Sequence, residues 1–81
     1  MSQTTKDEKN IKTIVVGIIS EQIGVNSGDI KMEDRLGNDL HMSASDISDL
    51  SVKLKENSLD LDLSGINLQT TVASIVEDLS F

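Results

Sequence analysis

Apolar residues along this chain fall into three stretches with helical spacing. Ile11, Ile14, Val15, Ile18, Ile19 and Ile23 recur at i, i+3, i+4, i+7, i+8 and i+12, one continuous stripe on a helix, although a β-branched run taken alone favours a strand. Gly24 follows and supplies a stop. The pattern predicts a first helix from about Asn10 to Ile23. Residues 1–9 lack periodicity and read as a disordered N-terminal tail, which leaves 10–81 as a single helical domain. Ile47, Leu50 and Leu54 form a narrower stripe and predict a second helix from Ser43 to about Asn57. Ser43 and Asp46 fit the S-x-x-D start signal, in which side chain and backbone cap each other. Val72, Ile75, Val76 and Leu79 predict a last helix from about Thr70 to Ser80, with a threonine capping its start. Across the three stripes, Ile14, Ile18, Leu50, Leu54, Val72, Ile75 and Leu79 are expected to face one another.

The connections carry weaker signals. From Val25 to Met42 the spacing is irregular, with Asn26, Ser27, Gly28, Gly37 and Asn38 marking turns and Val25, Ile30 and Leu36 able to pin a long loop on the core. Loops of this length are usually functional or packed down. Leu59, Leu61 and Leu63 alternate with Asp60 and Asp62 at the period of a strand. No second strand pattern exists to pair with them, so they read as an extended loop.

Composition narrows the class of function. The 81 residues suffice for one domain, and with 37 % hydrophobic residues, a single aromatic (Phe81) and no cysteine the core must be built from Ile, Leu and Val. A formal net charge of -7 repels phosphate backbones and anionic lipid, which points away from nucleic acid and towards basic protein surfaces. No apolar run approaches the roughly 20 residues that span a bilayer, and MSQTTKDEKN is too polar for a signal peptide. The expectation is a soluble, cytoplasmic monomer without membrane insertion.

Catalytic and metal chemistry find little material. His41 is the only histidine, and a lone imidazole with no cysteine or second histidine near it in sequence assembles no relay or metal site. An enzyme is not expected. Asp60, Asp62, Ser64 and Gly65 mimic the opening of a calcium loop, but Thr71 stands where such a loop needs its bidentate glutamate.

Four separated segments carry a family resemblance. Asp39-Leu40-His41-Met42-Ser43-Ala44-Ser45-Asp46-Ile47-Ser48-Asp49-Leu50 resembles, without a gap, the D-L-G-M-D-S-L-D-x-V-E-L signature of acyl carrier proteins. Ile18-Ile19-Ser20-Glu21-Gln22-Ile23-Gly24-Val25 is similar to the family's I-I-x-E-Q-L-G-V. Leu59-Asp60-Leu61-Asp62-Leu63 is similar to F-G-I-E-I after one inserted residue, and Thr70-Thr71-Val72 to the T-T-V that opens the last helix. The resemblance covers roughly residues 11 to 79 and implies an all-α, acyl-carrier-like bundle of three longer helices. A long loop follows the first helix, and a short third helix is reduced or lost between Ser64 and Gln69.

The resemblance also implies a function in fatty acid and related lipid metabolism. Family members carry acyl groups as thioesters on a 4'-phosphopantetheine arm joined to the serine of D-S-L, and their partners are phosphopantetheinyl transferase and acyl-transfer or synthase enzymes with basic surfaces. Here D-S-L reads Ser43-Ala44-Ser45, so Ala44 stands at the attachment position. It is open to two readings, a natural alanine or an introduced Ser-to-Ala change. Ser43 replaces the family's aspartate and has a capping role to fill. Ser45 is either an ordinary exposed residue or a displaced attachment site. The resemblance implies partner contacts at Asp46, Asp49, Val52 and Glu56. Lys53 and Lys55 break the acidic character of that helix, and Ser48 replaces an apolar contact residue. Beside the carrier stands an alternative of another class, a carrier-like interaction module that is never phosphopantetheinylated. Asp49 and Lys53 are also spaced as an i, i+4 ion pair on an ordinary solvated helix face.

Overall fold

A computed structural model describes residues 8–80 of the chain. Within them the architecture is all-helical: α1 (Glu8–Ile23), α2 (Ala44–Glu56) and α3 (Val72–Ser80), with 3-10 turns at Ser27–Asp29 and Leu63–Gly65. No strand forms among the described residues; the nearest approach is an isolated antiparallel bridge between Arg35 and Thr71. None of the described helices is long and apolar enough to cross a membrane.

Helix α1 packs against both α2 and α3. It begins at Glu8, two residues before the start set by the apolar spacing, so Glu8 and Lys9 belong to the helix and not to the expected tail. The remainder of that tail, residues 1–7, lies outside the described residues. Gly24 ends α1 with φ +76°, and the Gly24 and Val25 N–H groups both donate to the Ser20 carbonyl. Glycine takes this left-handed conformation without the Cβ clash that other residues meet.

The apolar stripe of α1 is rotated relative to expectation. Ile11, Val15 and Ile19 are fully buried, whereas Ile14 and Ile18 are only partly so. With a partner helix on either side, the bottom of the stripe is the i, i+4, i+8 row, and the i+3 and i+7 positions form its flank. The other two stripes face inward as spaced: Ile47, Leu50 and Leu54 on α2, and Val72, Ile75, Val76 and Leu79 on α3. The three meet in one apolar cluster that Ile30, Leu36, Met42, Leu59 and Leu61 complete from the loops. Val25, expected to help pin the first loop, is 40 % exposed, because the chain has already turned away at Gly24.

The long loop is fastened by its backbone. The N–H groups of Leu36 and Gly37 donate to the Thr70 and Leu68 carbonyls, and those of Val72 and Ala73 donate to the Asp34 and Met32 carbonyls. Val72 and Ala73 open α3, where amides have no partner within the helix. The helix therefore starts at Val72 and not at Thr70, with the Thr71 hydroxyl accepting from the Ser74 N–H at 3.1 Å. Leu59 to Asp62 run without regular structure, burying Leu59 and Leu61 but leaving Leu63 exposed. Between Ser64 and Gln69 the described chain makes turns and no α-helix.

Truncation should separate buried from exposed sites cleanly. Leu50→Ala, at a fully buried position, should lower the unfolding free energy by about 2 to 5 kcal/mol. Val52→Ala, 57 % exposed on the same helix, should change it by less than about 0.5 kcal/mol. Urea denaturation followed by circular dichroism measures both.

Candidate functional site

The loop delivers the chain to α2 through a fixed approach. The His41 N–H donates to the Gly37 carbonyl and the Met42 N–H to the Leu36 carbonyl, so Met42 is buried against the core while Ser43 emerges. His41 is exposed and lies in the left-handed region at φ 60°, a conformation that costs a residue with a Cβ roughly 1 to 2 kcal/mol. The turn is tight enough to require it.

Ser43 is the N-cap of α2. Its Oγ accepts from the Asp46 N–H at 3.2 Å, and the Asp46 carboxylate accepts from the Ser43 N–H at 2.9 Å. Both halves of the capping box are present, so two otherwise orphaned donors are satisfied. Ala44 and Ser45 then form the first turn, both exposed. A second tie steadies this turn from α1, where the Gln22 side-chain amide donates to the Asp46 carbonyl. In the sequence, Gln22 is marked by nothing beyond its place in the E-Q segment beside Ile23 and Gly24.

Four further positions share the outward side of α2. Asp49, Val52 and Glu56 are exposed, while Asp46 is half-buried with its carboxylate held in the capping box. Asp49, Val52 and Glu56 follow i, i+3, i+7 and so lie on one face. Lys53 and Lys55 are exposed beside them, which gives the face mixed charge. Asp49 and Lys53 form no ion pair. An ion pair does form between Arg35 and Asp39, at 3.2 Å in the first loop. Asp39 is anchored there because its carboxylate also accepts from the Arg35 N–H.

Beside Ala44 lies a groove of about 360 Å³. Ala44, Ile47 and Ser48 form its α2 wall, and Leu63, Ile66, Asn67 and Leu68 form the facing wall. Leu63 and Leu68 are 38 % and 44 % exposed. Leu63 belongs to the alternating Leu59-Leu61-Leu63 pattern, but no local pattern places Ile66 and Leu68 opposite Ala44. The calcium-like segment is committed elsewhere: the Asp62 carboxylate accepts from both the N–H and the hydroxyl of Ser64.

Two predictions test this local chemistry. Ser43→Ala should cost about 0.5 to 2 kcal/mol and speed hydrogen exchange at the Asp46 amide, read by NMR. The second concerns acid. Hydrogen bonds from the Arg35 backbone and side chain hold Asp39 below the ordinary carboxylate range, and those from Ser64 do the same for Asp62. Both groups therefore contribute stability above the unfolded value of about 3.9 and lose it as pH falls through their lower folded values. Mild acid, by contrast, relieves the repulsion of a chain carrying -7. Melting temperature should rise slightly on mild acidification and fall at lower pH, and the fall should be shallower in Asp39→Asn and Asp62→Asn.

No protein-family model matches this chain, and no curated protein matches it either.

Proposed function

We propose that the chain is an acyl-carrier-like domain: a non-catalytic, monomeric, cytoplasmic module that presents position 44 to phosphopantetheinyl transferase and to acyl-transfer or synthase enzymes. The observation that carries this reading is the geometry of position 44. It is the first residue of α2, exposed, behind a capped N-terminus and at the edge of an apolar groove. In acyl carrier proteins the arm-bearing serine stands at this helix start, where unpaired N–H groups and the positive end of the helix favour a phosphodiester. The adjoining groove offers an apolar chain carried from that point a surface out of water. Two backbone features support the same register. Gly24 has φ +76° where the similar family segment has its glycine, and His41 has φ 60° where the signature has another.

The 4'-phosphopantetheine arm does not fit the residues present. Ala44 lacks the oxygen through which it would be joined. The Ser43 hydroxyl serves as acceptor for the Asp46 N–H. Ser45 is exposed, but one residue on it stands about 100° round the helix axis and about 1.5 Å further along it. This mismatch favours a second reading, a carrier-like interaction module that is never phosphopantetheinylated and docks through Asp49, Val52 and Glu56. Lys53 and Lys55 then make its partners different from the uniformly basic surfaces that suit an acidic helix.

Restoring the hydroxyl decides between the two. Incubated with coenzyme A and a phosphopantetheinyl transferase, the unaltered chain should keep its intact mass, while Ala44→Ser should gain the mass of one arm. Failure of Ala44→Ser with several transferases would favour the interaction module. Efficient labelling of the unaltered chain, mapped by peptide mass spectrometry to Ser45, would show that the register is displaced by one residue.

A further inference from the structure

We infer that Gly37 is a positioning residue for the groove beside Ala44, acting through Leu68. The inference rests on the proposed reading of that groove as the resting place of an apolar chain. Gly37 is not needed for its backbone conformation, since among the described glycines the positive φ belongs to Gly24. What requires glycine is space. A Cβ at position 37 would stand 2.5 Å from the Leu68 Cβ, 2.9 Å from its Cδ2 and 3.0 Å from its Cγ. The first of these contacts cannot be relieved by rotating the leucine, because a Cβ moves only with its own backbone.

That backbone has little freedom to yield. The Gly37 N–H donates to the Leu68 carbonyl at 2.7 Å. The turn holding Leu68 is closed on itself: the Asn67 N–H donates to the Thr70 hydroxyl, the Gln69 N–H to the Asn67 side-chain oxygen, and the Thr70 N–H to the Asn67 carbonyl. Thr70 is in turn held by the Leu36 N–H through its carbonyl. A methyl at position 37 must therefore shift the whole 67–70 turn. Leu68 is 44 % exposed and belongs to the groove wall, not to the buried cluster. The shift thus falls on the groove wall that faces Ala44 and Ser48. Gly37 sets the distance between the two walls, and with it the chain the groove accepts.

Octanoyl-pantetheine and butanoyl-pantetheine, added free in solution to the 15N-labelled full chain, supply the test. Octanoyl-pantetheine should shift the amide resonances of Ala44, Ile47, Ser48, Ile66 and Leu68. Gly37→Ala should weaken its binding by about tenfold and lower the octanoyl-over-butanoyl preference, with the helical circular dichroism retained. A glycine needed merely for folding would leave that preference unchanged. Should Gly37→Ala fail to fold, Leu68→Gln, which keeps the Cβ and replaces the apolar wall, must produce the same loss of preference. Unchanged affinity and preference in the folded variant, shifts confined to another surface, or no binding by the parent chain would overturn the inference. Failure of Ala44→Ser to take the arm, with the Gly37 effects present, would count against the carrier reading alone.

Discussion

Helix α3 opens with backbone amides that its own turns leave unpaired, and two of them are paired with carbonyls from a loop far upstream. Val72 reaches Asp34 and Ala73 reaches Met32, while Leu36 and Gly37 donate in the opposite direction to Thr70 and Leu68. Buried amides without partners are costly, so these bonds commit the first loop to one path over the end of the bundle. Most of the molecule's irregular structure follows from that commitment. Leu36 is carried into the core and Thr71 is placed as a cap. A segment that composition alone would leave loose becomes a rigid strap.

The same strap sets the start of α2. Met42 donates to the Leu36 carbonyl and His41 to the Gly37 carbonyl, so the positions of residues 36 and 37 pass directly to the residues before Ser43. The turn is tight enough to hold His41 at positive φ, a local cost tolerated because the surrounding bonds fix it. From there the Ser43–Asp46 box and the Gln22 tie from α1 hold the first turn of α2 on two sides. Ala44 is exposed on the turn these ties hold.

Charge and chemistry at this platform pull in different directions. The exposed helix start and the adjoining apolar groove are the features on which the proposed carrier reading rests. Alanine at the start and two lysines on the outward face of α2 count against it. The fold and the placement of the site are separable from the covalent chemistry: capping and strap hold position 44 in place whether or not its side chain bears an oxygen. A chain could therefore keep the platform and change what meets it.

Local pattern was enough to establish the three helices, the inward faces of α2 and α3, the stop at Gly24 and the cap at Ser43. Each of these depends on residues within a turn or two of one another, and side-chain periodicity and capping chemistry act over that range. The tertiary structure alone decided which row of α1 lies deepest, because Ile11, Val15 and Ile19 were selected over Ile14 and Ile18 by the placement of two neighbouring helices. It alone decided that α3 begins at Val72, that Val25 stays in solvent and that Leu63 and Leu68 wall a groove beside Ala44. The start of α3 and the wall beside Ala44 hang on backbone hydrogen bonds between segments distant in sequence. Such bonds are made by main-chain groups common to nearly every residue, so no amino-acid pattern announces them.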